Sequence, residues 1–105
     1  GKALEMVMTG DMVDAMEANR IGLVNHICEP EQLEGATMAL AQSLGSKSPL
    51  TIKAAKRAVR AALELPLGEG IDYERDEFCA LFDTEDKEIG VNAFLARERP
   101  EWQGR

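Results

Sequence analysis

Histidine, cysteine and aromatic residues are scarce in this chain, and each scarcity removes a class of function. One histidine and two cysteines, Cys28 and Cys79, offer no metal-ligand spacing, so no metal site is expected. The two thiols read as buried and reduced, which points to a reducing, cytoplasmic compartment. Basic side chains number 12 against 19 acidic ones, for a net charge of −7. Such a surface repels phosphate backbones, so nucleic acid is not an expected partner. No apolar run approaches the roughly 20 residues needed to span a bilayer. The start has no signal-peptide pattern either, and no membrane partner is expected. An initiator methionine is missing too, and Gly1 reads as the start of a piece cut from a longer chain. Aromatics make up only 5%, while Ala, Leu, Val, Ile and Met supply most of the apolar 45%. That is a helical palette.

What is present is a succession of helix signals within a length that allows one domain. Lys2 to Thr9 reads as a short helix stopped by Gly10. Asp14 through Glu17 has the spacing of a capping box, opening a helix that ends near Ile21-Gly22. Leu23 to Cys28 is the one strand candidate, short and imperfectly alternating, and a lone strand makes no sheet. Glu29-Pro30-Glu31 opens a third helix with Leu33, Ala36, Thr37, Leu40, Ala41 and Leu44 as its buried stripe, closed by Gly45. Ser48-Pro49 starts a helix expected to run from Leu50 to Leu65, where Pro66 stops it. Leu67 to Phe82 follows. The last helix begins at the acidic Asp83-Thr84-Glu85-Asp86 and runs toward Arg99-Pro100, leaving a tail that contains Trp102. The fold class is therefore mostly α, with at most one short strand.

Few residues invite a chemical reading. Lys53, Lys56, Arg57 and Arg60 share a helix face and would attract phosphate, although pairing with nearby carboxylates, Glu64 first, explains them more simply. His26 has no nucleophile or carboxylate at a diagnostic spacing and reads as an ordinary surface or hydrogen-bonded histidine. Gly68-Glu69-Gly70 lacks the lysine and hydroxyl of a phosphate loop and reads as a helix start. Trp102 either docks on a partner subunit or anchors the terminus.

Three segments carry a resemblance. MTGDMVDAMEANRIGLVNHICEPEQL, SKSPLTIKAAKRAV and DTEDKEIGVNAFLARERPEW occur in an order similar to the C-terminal region of the crotonase (enoyl-CoA hydratase/isomerase) superfamily. The resemblance covers essentially all of residues 1–105 and looks most like enoyl-CoA hydratase. It implies one C-terminal helical region, used in that family for trimerisation and for covering the CoA pocket. The family's two glutamates, its oxyanion loop and its glycine-rich helix start all lie upstream of the position equivalent to Gly1. No catalytic residue is therefore carried over, and the N-terminal catalytic core is expected to be absent. Phe94 matches an aromatic that packs beside the nucleotide end of CoA, and Arg97 matches a position often held by lysine. An aromatic face suits adenine and a cation suits phosphate or ribose oxygens, while a core Phe94 and a solvated Arg97 are the plainer alternative. No cofactor is implied beyond coenzyme A as the carrier of the substrate. The resemblance further implies a homo-oligomer, a trimer or a dimer of trimers, and inactivity of this region alone. The alternatives are a stand-alone helical association module, or the tail of another crotonase such as an enoyl-CoA isomerase.

Overall fold

A computed structural model describes all 105 residues, which fall into two units, Gly1–Met38 and Ala39–Arg105. The first unit holds α1 (Lys2–Thr9), α2 (Ala15–Arg20), a single 3-10 turn (Pro30–Gln32) and the start of α3 (Leu33–Gly45). Gly10 closes α1 in the left-handed conformation that glycine adopts without steric cost. Asp14 caps α2 by accepting from the Glu17 amide at 2.8 Å, as the capping spacing requires. Glu17 does not complete the box. Its carboxylate instead takes two bonds from Arg20, at 2.5 and 2.7 Å, and lies 3.6 Å from Lys2. A cation within reach outcompetes a neutral amide for a carboxylate.

The expected strand at Leu23–Cys28 does not form; the segment bends at residues 23–25 and is irregular from 26 to 28. Leu23 and Val24 donate to the Ala18 carbonyl, and the Asn19 side chain donates to the carbonyls of Val24 and Asn25. The helix end thus captures the backbone groups that a ladder would need.

The second unit contains the rest of α3, then α4 (Pro49–Ala61), α5 (Leu67–Ala80), a 3-10 turn (Leu81–Asp83) and α6 (Glu85–Ala96). α4 stops four residues before the expected Leu65. Leu63 and Glu64 tighten into bonds with the carbonyls of Arg60 and Ala61, and Pro66 disfavours helix at the residue before it. α4 packs on α5, and Arg57 reaches across to Glu77 with bonds of 2.8 and 2.5 Å. Thr84 joins the 3-10 turn to α6: its hydroxyl donates to the Leu81 carbonyl and accepts from the Lys87 amide.

What ties this unit together is polar. Asp86 and Ser48 are both buried, 3% and 4% exposed. The Ser48 hydroxyl donates to one Asp86 oxygen at 2.5 Å, and the amides of Gln103 and Gly104 donate to the other at 2.7 and 3.0 Å. The Asp86 amide donates to the Arg105 carbonyl, and Arg105 pairs with Glu85. Trp102 adds an indole bond to the Ser46 carbonyl at 2.8 Å. The start of α4, the start of α6 and the chain's last residues therefore meet at one carboxylate. Trp102 anchors the terminus within this unit.

Apolar burial is slight by comparison. Only Ala18 and Ala54 among the apolar residues are buried, and no side chain is fully enclosed. The α3 stripe from Leu33 to Leu44 is exposed, as are Cys28 and Cys79, against the expectation that all of these lie inside. A helix face is buried only where another element covers it, and nothing in either unit covers these. The accessible surface is 8993 Å². Two separately compact bodies dividing this mass would together expose only about 7,000 Å². No helix is long and apolar enough to cross a membrane.

The Ser48 hydroxyl, and then the two tail amides, hold the Asp86 carboxyl below its ordinary value. A depressed carboxyl contributes stability that is whole above the unfolded value of about 3.9 and is lost as pH falls through the lower folded value. Emission from Trp102, the only tryptophan, should therefore stay constant from pH 7 to 5 and red-shift only on further acidification. Asp86→Ala should show the red-shifted emission already at pH 7. Unshifted emission from that variant would mean that the tail is held by something other than this carboxylate.

Candidate functional site

The residues singled out for ligand contact sit at the end of α6. Three acids in its first turn, Glu85, Asp86 and Glu88, favour the positive helix start, and the Thr84 cap fixes where it begins. From there the register delivers Phe94 to the last turn and Arg97 to the position just after it. Phe94 is 82% exposed and is not a core residue of this chain. Leu95 beside it is 74% exposed and Val91 half exposed. Arg97 is exposed, and no carboxylate lies within ion-pair distance of it. Its backbone is left-handed, φ 58° and ψ 38°, the only positive φ outside glycine. Helix α6 therefore ends at Ala96, three residues short of the expected Arg99. The Arg97 and Glu98 amides close the helix on the carbonyls of Phe94 and Ala93.

This arrangement presents an exposed aromatic side chain and an unpaired guanidinium within one helical turn. Chemically it suits a flat heterocycle bearing anionic oxygens. Phe94 and Arg97 lie three positions apart in the chain, and the Arg97 amide donates to the Phe94 carbonyl.

The basic face of α4 is less available than its spacing implies. Arg57 is committed to Glu77, which it holds below the ordinary carboxylate value, while Glu77 in turn raises the Tyr73 hydroxyl. Lys53, Lys56 and Arg60 remain exposed, and the expected Arg60–Glu64 pair is not made. His26 is exposed on the chain after α2. Gly68 and Gly70 lie inside the first turns of α5, as a helix start requires. Between α4 and α5 runs an open apolar groove of about 240 Å³, lined by Ala54, Ala58, Val59, Phe78 and Leu81. Phe78 and Phe82 meet edge to face there, with ring centroids 5.1 Å apart.

Two features escape a reading of the sequence. Asp86 looks like one more acid at a helix start, because its partners lie 17, 18 and 38 residues away. The left-handed turn at Arg97 carries no glycine to announce it. The Pro100 that follows is the sole local hint that the helix stops early.

The family model described as enoyl-CoA hydratase/isomerase matches residues 1–105. A probable mitochondrial enoyl-CoA hydratase of Dictyostelium discoideum is 40% identical over 104 residues, 99% of this chain and 38% of its own length. A crystal structure of an enoyl-CoA hydratase (subunit I) from Geobacillus kaustophilus superposes with a TM-score of 0.91 at 41% identity, over 99% of this chain and 40% of that one. The enoyl-CoA hydratase of Bacillus anthracis superposes with a TM-score of 0.96 at 28% identity, over all of this chain and 41% of that one. The chain thus spans about 40% of the length of the relatives it matches. Matched over its whole length in sequence, and superposed helix for helix on solved members, this chain belongs to the enoyl-CoA hydratase/isomerase family.

Proposed function

We propose that residues 1–105 act as the C-terminal part of an enoyl-CoA hydratase, which adds water across the double bond of a 2-trans-enoyl-CoA to give a 3-hydroxyacyl-CoA. In this reading the chain contributes no catalytic group. Phe94 packs on the adenine of CoA, and Arg97 pairs with its phosphate or ribose oxygens. The apolar faces of α3, α4 and α5 pack on the remainder of the enzyme and on neighbouring subunits of a homo-oligomer. The observation that carries the reading is the exposed Phe94 beside an unpaired Arg97, in a chain that lacks a core of its own. The relatives' names support hydration over isomerisation. Two free, exposed thiols fit a reducing cytoplasm.

The division of labour has a direct test. The purified 105-residue chain should not turn over crotonyl-CoA, and its uncovered apolar faces should make it self-associate. Turnover by such material, or a single monomeric species at high concentration by light scattering, would count against the assignment.

Grafting residues 1–105 in place of the matched segment of the Geobacillus kaustophilus hydratase should give an active hybrid. In that hybrid, Phe94→Ala and Arg97→Ala should each raise KM for crotonyl-CoA by roughly tenfold with little change in kcat. An assembled but inactive hybrid would favour the stand-alone association module instead.

A further inference from the structure

Arg97 breaks a local rule. A helix that closes on a left-handed residue almost always uses glycine there, because a Cβ in that conformation crowds the backbone. Glycine would close α6 with the same two amide bonds and without strain. Strain of this kind persists only where the surroundings enforce it, and it concentrates at working sites.

The surroundings here are the chain's last eight residues. After Arg97 the backbone reverses and returns along α6 toward its first turn. Trp102 brings the edge of its indole against the helix at Gly90, where an added Cβ would stand 3.1 Å from Cη2 and 3.2 Å from Cζ3. That glycine weakens the helix interior but admits the ring. The indole nitrogen is tied to the Ser46 carbonyl, and the Gln103 and Gly104 amides to Asp86. Pro49 closes on Gly104 from the other side, 3.3 Å from where a Cβ would be. The reversal therefore has a fixed end on each side, at Ala96 and at Trp102.

From this we infer that Glu98–Arg105 is a positioning strap, whose attachment at Gly90, Ser46 and Asp86 holds Arg97 in its left-handed conformation and so sets the Phe94–Arg97 pair for the nucleotide of CoA. The inference rests on the assignment of those two residues to CoA. Trp102, Gly90 and Asp86 touch no substrate in this scheme. They act through Arg97, and their effect should appear only with substrates that carry the nucleotide.

The experiment compares crotonyl-CoA with crotonyl-pantetheine, which lacks the nucleotide, in the hybrid enzyme. Gly90→Ala and Trp102→Ala should raise KM for crotonyl-CoA by about tenfold, since small misplacements of binding groups are costly. Neither should change kcat or the kinetics with crotonyl-pantetheine by more than about twofold. Trp102→Phe removes the bond to Ser46 and shortens the ring that reaches Gly90 while keeping an aromatic side chain, so it should fold normally and show an intermediate shift. Arg97→Gly should raise the melting temperature while raising KM for crotonyl-CoA, because it removes strain and the cation together. Equal losses with both substrates would reduce the strap to a structural brace and overturn the inference. So would wild-type kinetics in Trp102→Ala and Trp102→Phe alongside a raised KM in Arg97→Ala. If Arg97→Ala and Phe94→Ala leave KM unchanged, the assignment to CoA falls first, and the strap with it.

Discussion

The second unit depends on a single buried carboxylate. Asp86 collects a hydroxyl from the start of α4 and two amides from the closing segment, while its own amide reaches the last residue. A charge taken out of water is costly unless its lone pairs are filled, and here three donors fill them. The Ser48 hydroxyl is itself buried and would be left unsatisfied without Asp86. Donors and acceptor need each other, so the three segments come together or not at all. Directional bonds also fix positions more narrowly than apolar contacts do, which suits a segment that must return along α6 in one register.

That polar knot stands in for a core that is nearly missing. A chain of 105 residues ordinarily encloses several large apolar side chains, yet here Ala18 and Ala54 are the only buried apolar residues. Leu67 is 81% exposed and Val59 69%, and both line the open grooves between α4 and α5. Faces of this kind, rimmed by charged residues such as Glu74 and Arg57, have the composition of buried surface. Their partners are not within the two units. The helices form from local signals, which act whether or not their apolar faces are covered.

Those local signals explain how much could be read from the sequence. Every helix was legible, because caps and stops act over three or four residues. Asp14, Ser48 and Gly10 do what their identities predict. Errors appear where a distant or competing group decides. Glu17 turned to Arg20, α4 gave way before Pro66, and Leu23–Cys28 folded back on α2 for want of a neighbouring strand. The burial expected for the α3 stripe and for both cysteines failed for the same reason: periodicity marks a face but not what covers it. Phe94 and Arg97 were singled out only through resemblance to a family, and what the structure adds is their exposure. The left-handed Arg97 and the knot at Asp86 were not, since both arise from contacts between segments far apart in the chain.

Charge along α6 links these observations. Coenzyme A, the ligand proposed for this end of α6, is anionic, and the chain's net charge of −7 opposes it overall. Screening confines that opposition to about 8 Å at physiological ionic strength, which leaves the local distribution to decide. On α6 the acids gather at the first turn, and Arg97 and Arg99 follow the last. This order matches the helix dipole at both ends. It also keeps the cations a full helix length away from Glu85, Asp86 and Glu88, so that no first-turn acid neutralises Arg97. Of the three arginines that follow α6, Arg105 is carried by the strap back to Glu85, while Arg97 and Arg99 stay unpaired. The fold thus divides the cations that follow α6, one spent on holding the segment in place and two left exposed and unpaired, of which Arg97 comes three residues after Phe94. A cation left in that state is the one placed to meet an anion from solution.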